Sequence, residues 1–179
     1  VPLQLRWAGA SDTLIGLLAS PTALLAVCLY PVIGMQSDSH RGRLGRRRPF
    51  LLWCTPPAVL SLVLLGAAKP AGALIYHFLR SLSLNSGLTV AGCTIAWISL
   101  CSITFTVFNA YITQVYLYLF VDVIPQEVMG RFIGFYRIVG VLGSIAFNRW
   151  GLGHAQMHTL AVYVDIGLLY AAAFCLIVW

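Results

Sequence analysis

The 179 residues are 60% hydrophobic and 9% charged, against roughly 45–50% and about 25% in an ordinary soluble domain, and no soluble core hides that much apolar surface. The formal net charge of +6 does not point to nucleic acid, because five of the eleven basic residues (Arg41, Arg43, Arg46, Arg47 and Arg48) crowd between two apolar runs, where a cytoplasmic loop of a membrane protein keeps its positive charge. Cys28, Cys54, Cys93, Cys101 and Cys175 all lie inside apolar runs, with no paired spacing that would indicate a disulfide framework or a metal site.

Asp, Glu, Lys and Arg are absent from 13–37, 49–68 and 81–121, and each gap holds the roughly 20 apolar residues that cross a bilayer. Span length and flanking charge predict five spans at about 13–36, 49–68, 93–121, 131–150 and 159–179, all helical because open strands cannot satisfy their backbone in lipid. The first run is too long for a signal peptide and later runs repeat it. The chain opens at Val1 and stops at Trp179 within an apolar run, so truncation at both ends is expected.

The first span contains Pro21 and Pro31, which predict a bent helix. The arginine loop after it sets the orientation, cytoplasmic at 41–48, which puts the N-terminus outside, Arg131 inside and the C-terminus inside. Lys69, Arg80 and Arg149 then fall near the outer surface. Between the second and third spans, Leu74, Ile75, Phe78, Leu79 and Leu82 recur at helical spacing opposite His77, Arg80, Ser81 and Asn85. That pattern predicts a short amphipathic helix on the outer leaflet or, alternatively, an early start of the third span.

On the third span Ser102, Thr106, Asn109, Thr113 and Tyr116 share one face with Ser99. Hydroxyl and amide groups are what a sugar needs for hydrogen bonding, so the stripe is a candidate wall of a solute pathway; the alternative is hydrogen bonding between packed helices. Asp122 follows at the end of this span, where its charge opposes the helix dipole and calls for a cationic partner; Arg131 is the nearest in sequence. Pro125 and Glu127 suit the first turn of the next helix.

In the fourth span Gly130, Gly134, Arg137, Val141, Ser144 and Asn148 fall in one sector. Gly130-x-x-x-Gly134 offers a close helix contact, and Arg137 either lines a cavity or snorkels to the cytoplasmic end. Asp165 stands about two turns inside the fifth span, where an acid is expensive unless paired, protonated or facing water. It is the candidate proton-coupling residue, with a satisfied structural acid as the alternative. His40, His77, His154 and His158 have no metal-ligand company, and no nucleophile elbow, zinc motif or acid pair appears, so neither an enzyme nor a cofactor is expected.

The stretch Gly34-Met-Gln-Ser-Asp38-Ser-His-Arg41-Gly-Arg43-Leu-Gly45-Arg46-Arg47-Arg48-Pro49-Phe50 resembles the loop between the second and third helices of major facilitators. Its lengthened Asp-to-Gly spacing and Arg-Arg-Arg-Pro-Phe ending look like the glycoside and sucrose symporter branch. Asp122-Val-Ile-Pro125-Gln-Glu127-Val-Met-Gly130-Arg131 is similar to the facilitator loop between helices four and five. The resemblance implies an all-α membrane protein, a partial bundle of five transmembrane helices corresponding to helices two to six of twelve, within the N-terminal six-helix half.

The resemblance further implies that Gly34, Asp38, Arg41, Arg43, Gly45, Arg46, Arg47, Arg48, Asp122, Gly130 and Arg131 form a conformational latch; alternatively the arginines only anchor the loop to anionic lipid. Sodium-using melibiose-type symporters carry an acid where Tyr30 precedes Pro31, and sucrose symporters carry one shortly before the asparagine that Asn109 matches, with Thr106 here three residues earlier. Both acids are missing, so a sodium site is not expected in this half. The function implied is a secondary carrier moving a sugar or similar polar solute by alternating access, with the bilayer, a coupled proton and the missing helices as partners. Its expected place is a plasma membrane, that of a bacterium in particular. The alternative is a membrane-embedded structural or regulatory piece without transport.

Overall fold

The computed structural model describes residues 2–39, 47–81, 89–151 and 159–178; the side chains of 2, 3, 18, 19, 21–26, 38, 150, 177 and 178 are not described. Among the described residues there is no strand, as the cost of unpaired backbone in lipid demands. The described residues form, in order, α1 (Pro2–Trp7), α2 (Asp12–Ser39), α3 (Arg48–Gly66), α4 (Ala68–Ser81), α5 (Val90–Val123), α6 (Gln126–Ala146) and α7 (Thr159–Val178), with a π-helical turn at Phe147–Gly151 extending α6.

Among the described residues four stretches are long and apolar enough to cross a membrane: Arg48–Gly66, Val90–Val123, Gln126–Arg149 and Thr159–Leu176. The 28-residue α2 runs unbroken past Pro21 and Pro31, with a shorter apolar stretch at Val27–Ser37. α3 likewise continues through Pro56 and Pro57. Each proline removes a backbone donor, and two buried hydroxyls bond carbonyls beside the pair, Thr55 Oγ1 to Leu51 O at 2.6 Å and Ser61 Oγ to Ala58 O at 2.8 Å.

The core lies on α3 and α5. Toward one end Leu65 and Ala68 meet Ile98, Cys101 and Leu5 of α1; toward the other, Leu51 and Ala58 meet Ile112, Val115 and Ile33 of α2. α7 packs against α3 and α5 through Tyr163, Tyr170 and Phe174. Large apolar side chains elsewhere stay uncovered, Trp53 at 82% and Leu176 at 80% exposure, which water would penalise and lipid does not.

α4 is a helix of its own and not an early start of α5, because Thr89 caps α5 by accepting from the Gly92 N–H at 3.1 Å. α4 lies against α5 through buried Ala68 and Gly72. A Cβ on Gly72 would sit 2.9 Å from the Thr94 Cα, so glycine is what lets the two backbones approach. Leu74 and Phe78 stay 70% and 66% exposed on the far side. Leu82 and Asn85 of the expected amphipathic pattern lie outside the described residues.

Candidate functional site

Two polar assemblies lie on opposite helix faces of α5. The first joins the ends of α2 and α5 to the start of α3. Arg47, immediately before α3, places Nε 2.8 Å from Asp122 Oδ2 and donates from Nη2 to Asp122 Oδ1 at 3.3 Å. The guanidinium is 9% exposed and the carboxylate 43%. Its planar fork suits this two-point geometry, and its carbon lies 5.0 Å from the centre of the Tyr118 ring, within range of a cation–π attraction.

Tyr118 and Asp122 are four residues apart and therefore stand one turn apart on one face of α5. Tyr111, two turns earlier on that face, donates its hydroxyl to Gln36 Oε1 at 3.4 Å. On α2, a Cβ at Gly34 would lie 3.3 Å from the Tyr118 hydroxyl, and Ser37 is fully buried beside it. Gly34 thus admits the ring that backs Arg47.

The partner of Asp122 that sequence proximity suggested, Arg131, is not the one found. α6 starts at Gln126, with Pro125 at its N-cap and Glu127 in its first turn, which carries Arg131 and Gly130 into the helix on exposed positions. The pairing with Arg47 bridges 75 residues. Nothing in local spacing signals it. Tyr118, the third member, was missed for the same reason: its role appears only when α2, α3 and α5 are assembled. Arg48 begins α3 and is exposed. Of the other latch candidates, Arg41, Arg43, Gly45 and Arg46 lie outside the described residues, and so does the Asp38 side chain.

The second assembly is the polar stripe of α5. Ser102, Thr106, Asn109 and Tyr116 are partly buried and Thr113 is exposed. Thr106 Oγ1 donates to Ser102 O at 2.8 Å, leaving its lone pairs available. Asn109 Oδ1 accepts from the Tyr170 hydroxyl of α7 at 2.9 Å. Tyr116 belongs to an aromatic cluster, its ring centroid 4.1 Å from Phe120, 6.1 Å from Tyr136 and 6.2 Å from Phe174. Part of the stripe therefore binds helices together, and part faces open space.

α6 touches α5 through Phe132 and Tyr136, both packed on Phe120. Nothing lies within 4 Å of a Cβ built on Gly130 or Gly134, so no described helix takes the close contact expected there; the aromatic rings hold α6 on another side. Arg137 is exposed, as is Asp165. Tyr163, Gly167, Tyr170 and Phe174 are spaced to share the face that α7 turns to the core, and at about 100° per residue Asp165 falls on its opposite side. The structure does not bring Asp165 to Arg137 or to the α5 stripe.

A family model described as MFS/sugar transport protein matches residues 6–104, more than half of the chain. The chain is also similar to solute carrier family 45 member 3 of Mus musculus, 33% identical over 84 residues; the match takes in 47% of this chain and 15% of that protein, so the chain spans only a minor part of its relative. No solved structure matches. With a membrane-embedded helical bundle, a charged tie between helix ends and a polar stripe already in place, the match over residues 6–104 settles the family: the chain belongs to the MFS/sugar transport proteins, multi-pass helical membrane proteins.

Proposed function

We propose that this chain is most of the N-terminal half of a secondary carrier that moves a sugar or a similar small polar solute across a plasma membrane by alternating access. Family membership supports the solute class. The observation that carries the mechanism is the two-point Arg47–Asp122 pair, which ties the α2–α3 connection to the end of α5. Gly34, Tyr118, Asp122 and Arg47 form the latch, joined by Arg48, Gly130, Arg131 and the loop residues Asp38, Arg41, Arg43, Gly45 and Arg46. A charged tie at a helix end holds one state closed, and breaking it lets the helices separate.

Solute passes along the hydroxyl and amide groups of Ser102, Thr106, Asn109 and Thr113, with Tyr116 beside it. Asp165 carries the coupled proton: on the uncovered side of α7 it meets either water or the part of the carrier beyond this chain, and an acidic side chain within a span marks an ion or proton path.

The complete protein in sealed vesicles, given labelled disaccharides and monosaccharides, tests this reading. Sugar should accumulate when the external side is made acidic, and Asp165→Asn should abolish accumulation while sparing exchange of sugar between the two sides. Unchanged gradient-driven accumulation in Asp165→Asn removes the proton role. Absence of uptake and of exchange for every sugar favours a membrane-embedded piece that transports nothing.

A further inference from the structure

A groove of ≈ 460 Å³ runs between α3 and α7, walled by Leu51, Thr55, Val59 and Val63 with Ala171 and Phe174 among its lining residues. Its one hydroxyl, that of Thr55, is already bonded to Leu51 O, so the groove asks nothing polar of its occupant. From Leu51 to Val63 the wall extends about 18 Å at 1.5 Å per residue, close to one leaflet of a hydrocarbon core about 30 Å thick. At about 100° per residue, Leu51, Leu52, Thr55, Val59 and Val63 lie within about 60° of Arg48. Arg48 stands one turn beyond the groove's end and is exposed.

The charges around that end favour an anion. Arg47 beside it is taken by Asp122, the described residues of the last two turns of α7 carry no charge, and Asp165 sits more than two turns away on the opposite side of α7. A cation at headgroup depth above an apolar furrow one leaflet long is complementary to a phosphate joined to an acyl chain.

We propose that the α3–α7 groove binds one anionic phospholipid, its headgroup phosphate on Arg48 and one acyl chain between Leu51 and Val63. Because Arg48 also stands among the latch residues, lipid contact is read directly and not through transport.

The complete protein in nanodiscs containing a small fraction of phosphatidylglycerol with a photoreactive acyl chain tests it. After irradiation, adducts should be roughly fivefold enriched on peptides covering 51–63 and 171–175 over the exposed Val139–Leu142 surface of α6, the gain expected of one basic residue near an anionic surface. A phosphatidylcholine probe should show no such enrichment. Arg48→Gln should reduce the phosphatidylglycerol signal to the phosphatidylcholine level, and Arg48→Lys should keep most of it. Should Arg48→Gln fail to fold, Leu60→Trp, which fills the furrow from an exposed position, should remove the enrichment with Arg48 intact. Even labelling of all apolar faces, enrichment that survives both variants, or cross-linking of a cysteine at Leu60 to another helix of the same protein overturns the proposal.

Discussion

Arg47 and Asp122 are unequal partners, and the inequality predicts unequal mutants. The guanidinium is 9% exposed and the carboxylate 43%. Removing the buried charge with Arg47→Gln leaves a carboxylate that water reaches, whereas Asp122→Asn leaves a buried cation without that counter-charge. A hydrogen bond to a charged group contributes about 1.5–3 kcal/mol, and the greater penalty follows whichever charge stays buried. Asp122→Asn should therefore lower the thermal stability of the purified complete protein by the equivalent of about 2 kcal/mol, and Arg47→Gln by less. Exchanging the two residues should recover part of the loss. An Arg47→Gln protein less stable than Asp122→Asn would show that the ring of Tyr118, 5.0 Å from the guanidinium, dominates the site. The sequence made both charges visible and assigned them to two separate loops. It pointed Asp122 toward Arg131 because nearness along a chain is all that spacing reports, and the true partner became apparent only with the α2–α3–α5 packing.

At the scale of the helices, the Asn109–Tyr170 bond decides between two readings of the α5 stripe. The 2.9 Å contact joins α5 to α7 at a depth where a polar group lacking a partner is costly, yet such bonds contribute only about 0.6 kcal/mol on average. If this bond holds α7 in place, Tyr170→Phe and Asn109→Leu should each destabilise by about 1 kcal/mol or less, and the double variant should be no worse than the poorer single one. Unfolding in detergent with a double-mutant cycle measures it. Additive losses would mean that Asn109 has an independent task, such as contact with solute. The stripe itself was legible because six polar residues at helical spacing stand out in an apolar run. Which of them would be covered was not, since that depends on Tyr170, which lies 61 residues away and in sequence is one more aromatic residue in an apolar helix. α4 shows the converse. Its existence was readable from its spacing, but its seat on α5 rests on Gly72, whose missing side chain gives no periodic signal.

For the whole molecule, the helix lengths and the arginine loop together make a claim about sidedness. α5, with 34 residues, is about 50 Å long, well beyond a hydrocarbon core of about 30 Å. It must tilt or project, and its C-terminal end carries Asp122. That end is tied to Arg47, immediately before α3, so α2 and α5 finish on the same side, and the sequence makes it the side that retains positive charge. α3 and α6 begin there, and α7, packed on α3, crosses back toward it. In a cysteine-free complete protein, single cysteines at Ser39 and Gln126 should therefore react with an impermeant maleimide only after the membrane is opened from the cytoplasmic side. A cysteine at Ser81, at the end of α4, should react from outside in intact cells. Labelling of Ser39 and Ser81 from the same side would mean that α3 does not cross. With that, the Arg47–Asp122 tie would lose its place at a cytoplasmic gate, because a latch can alternate access only if the helices it joins open onto one side of the membrane.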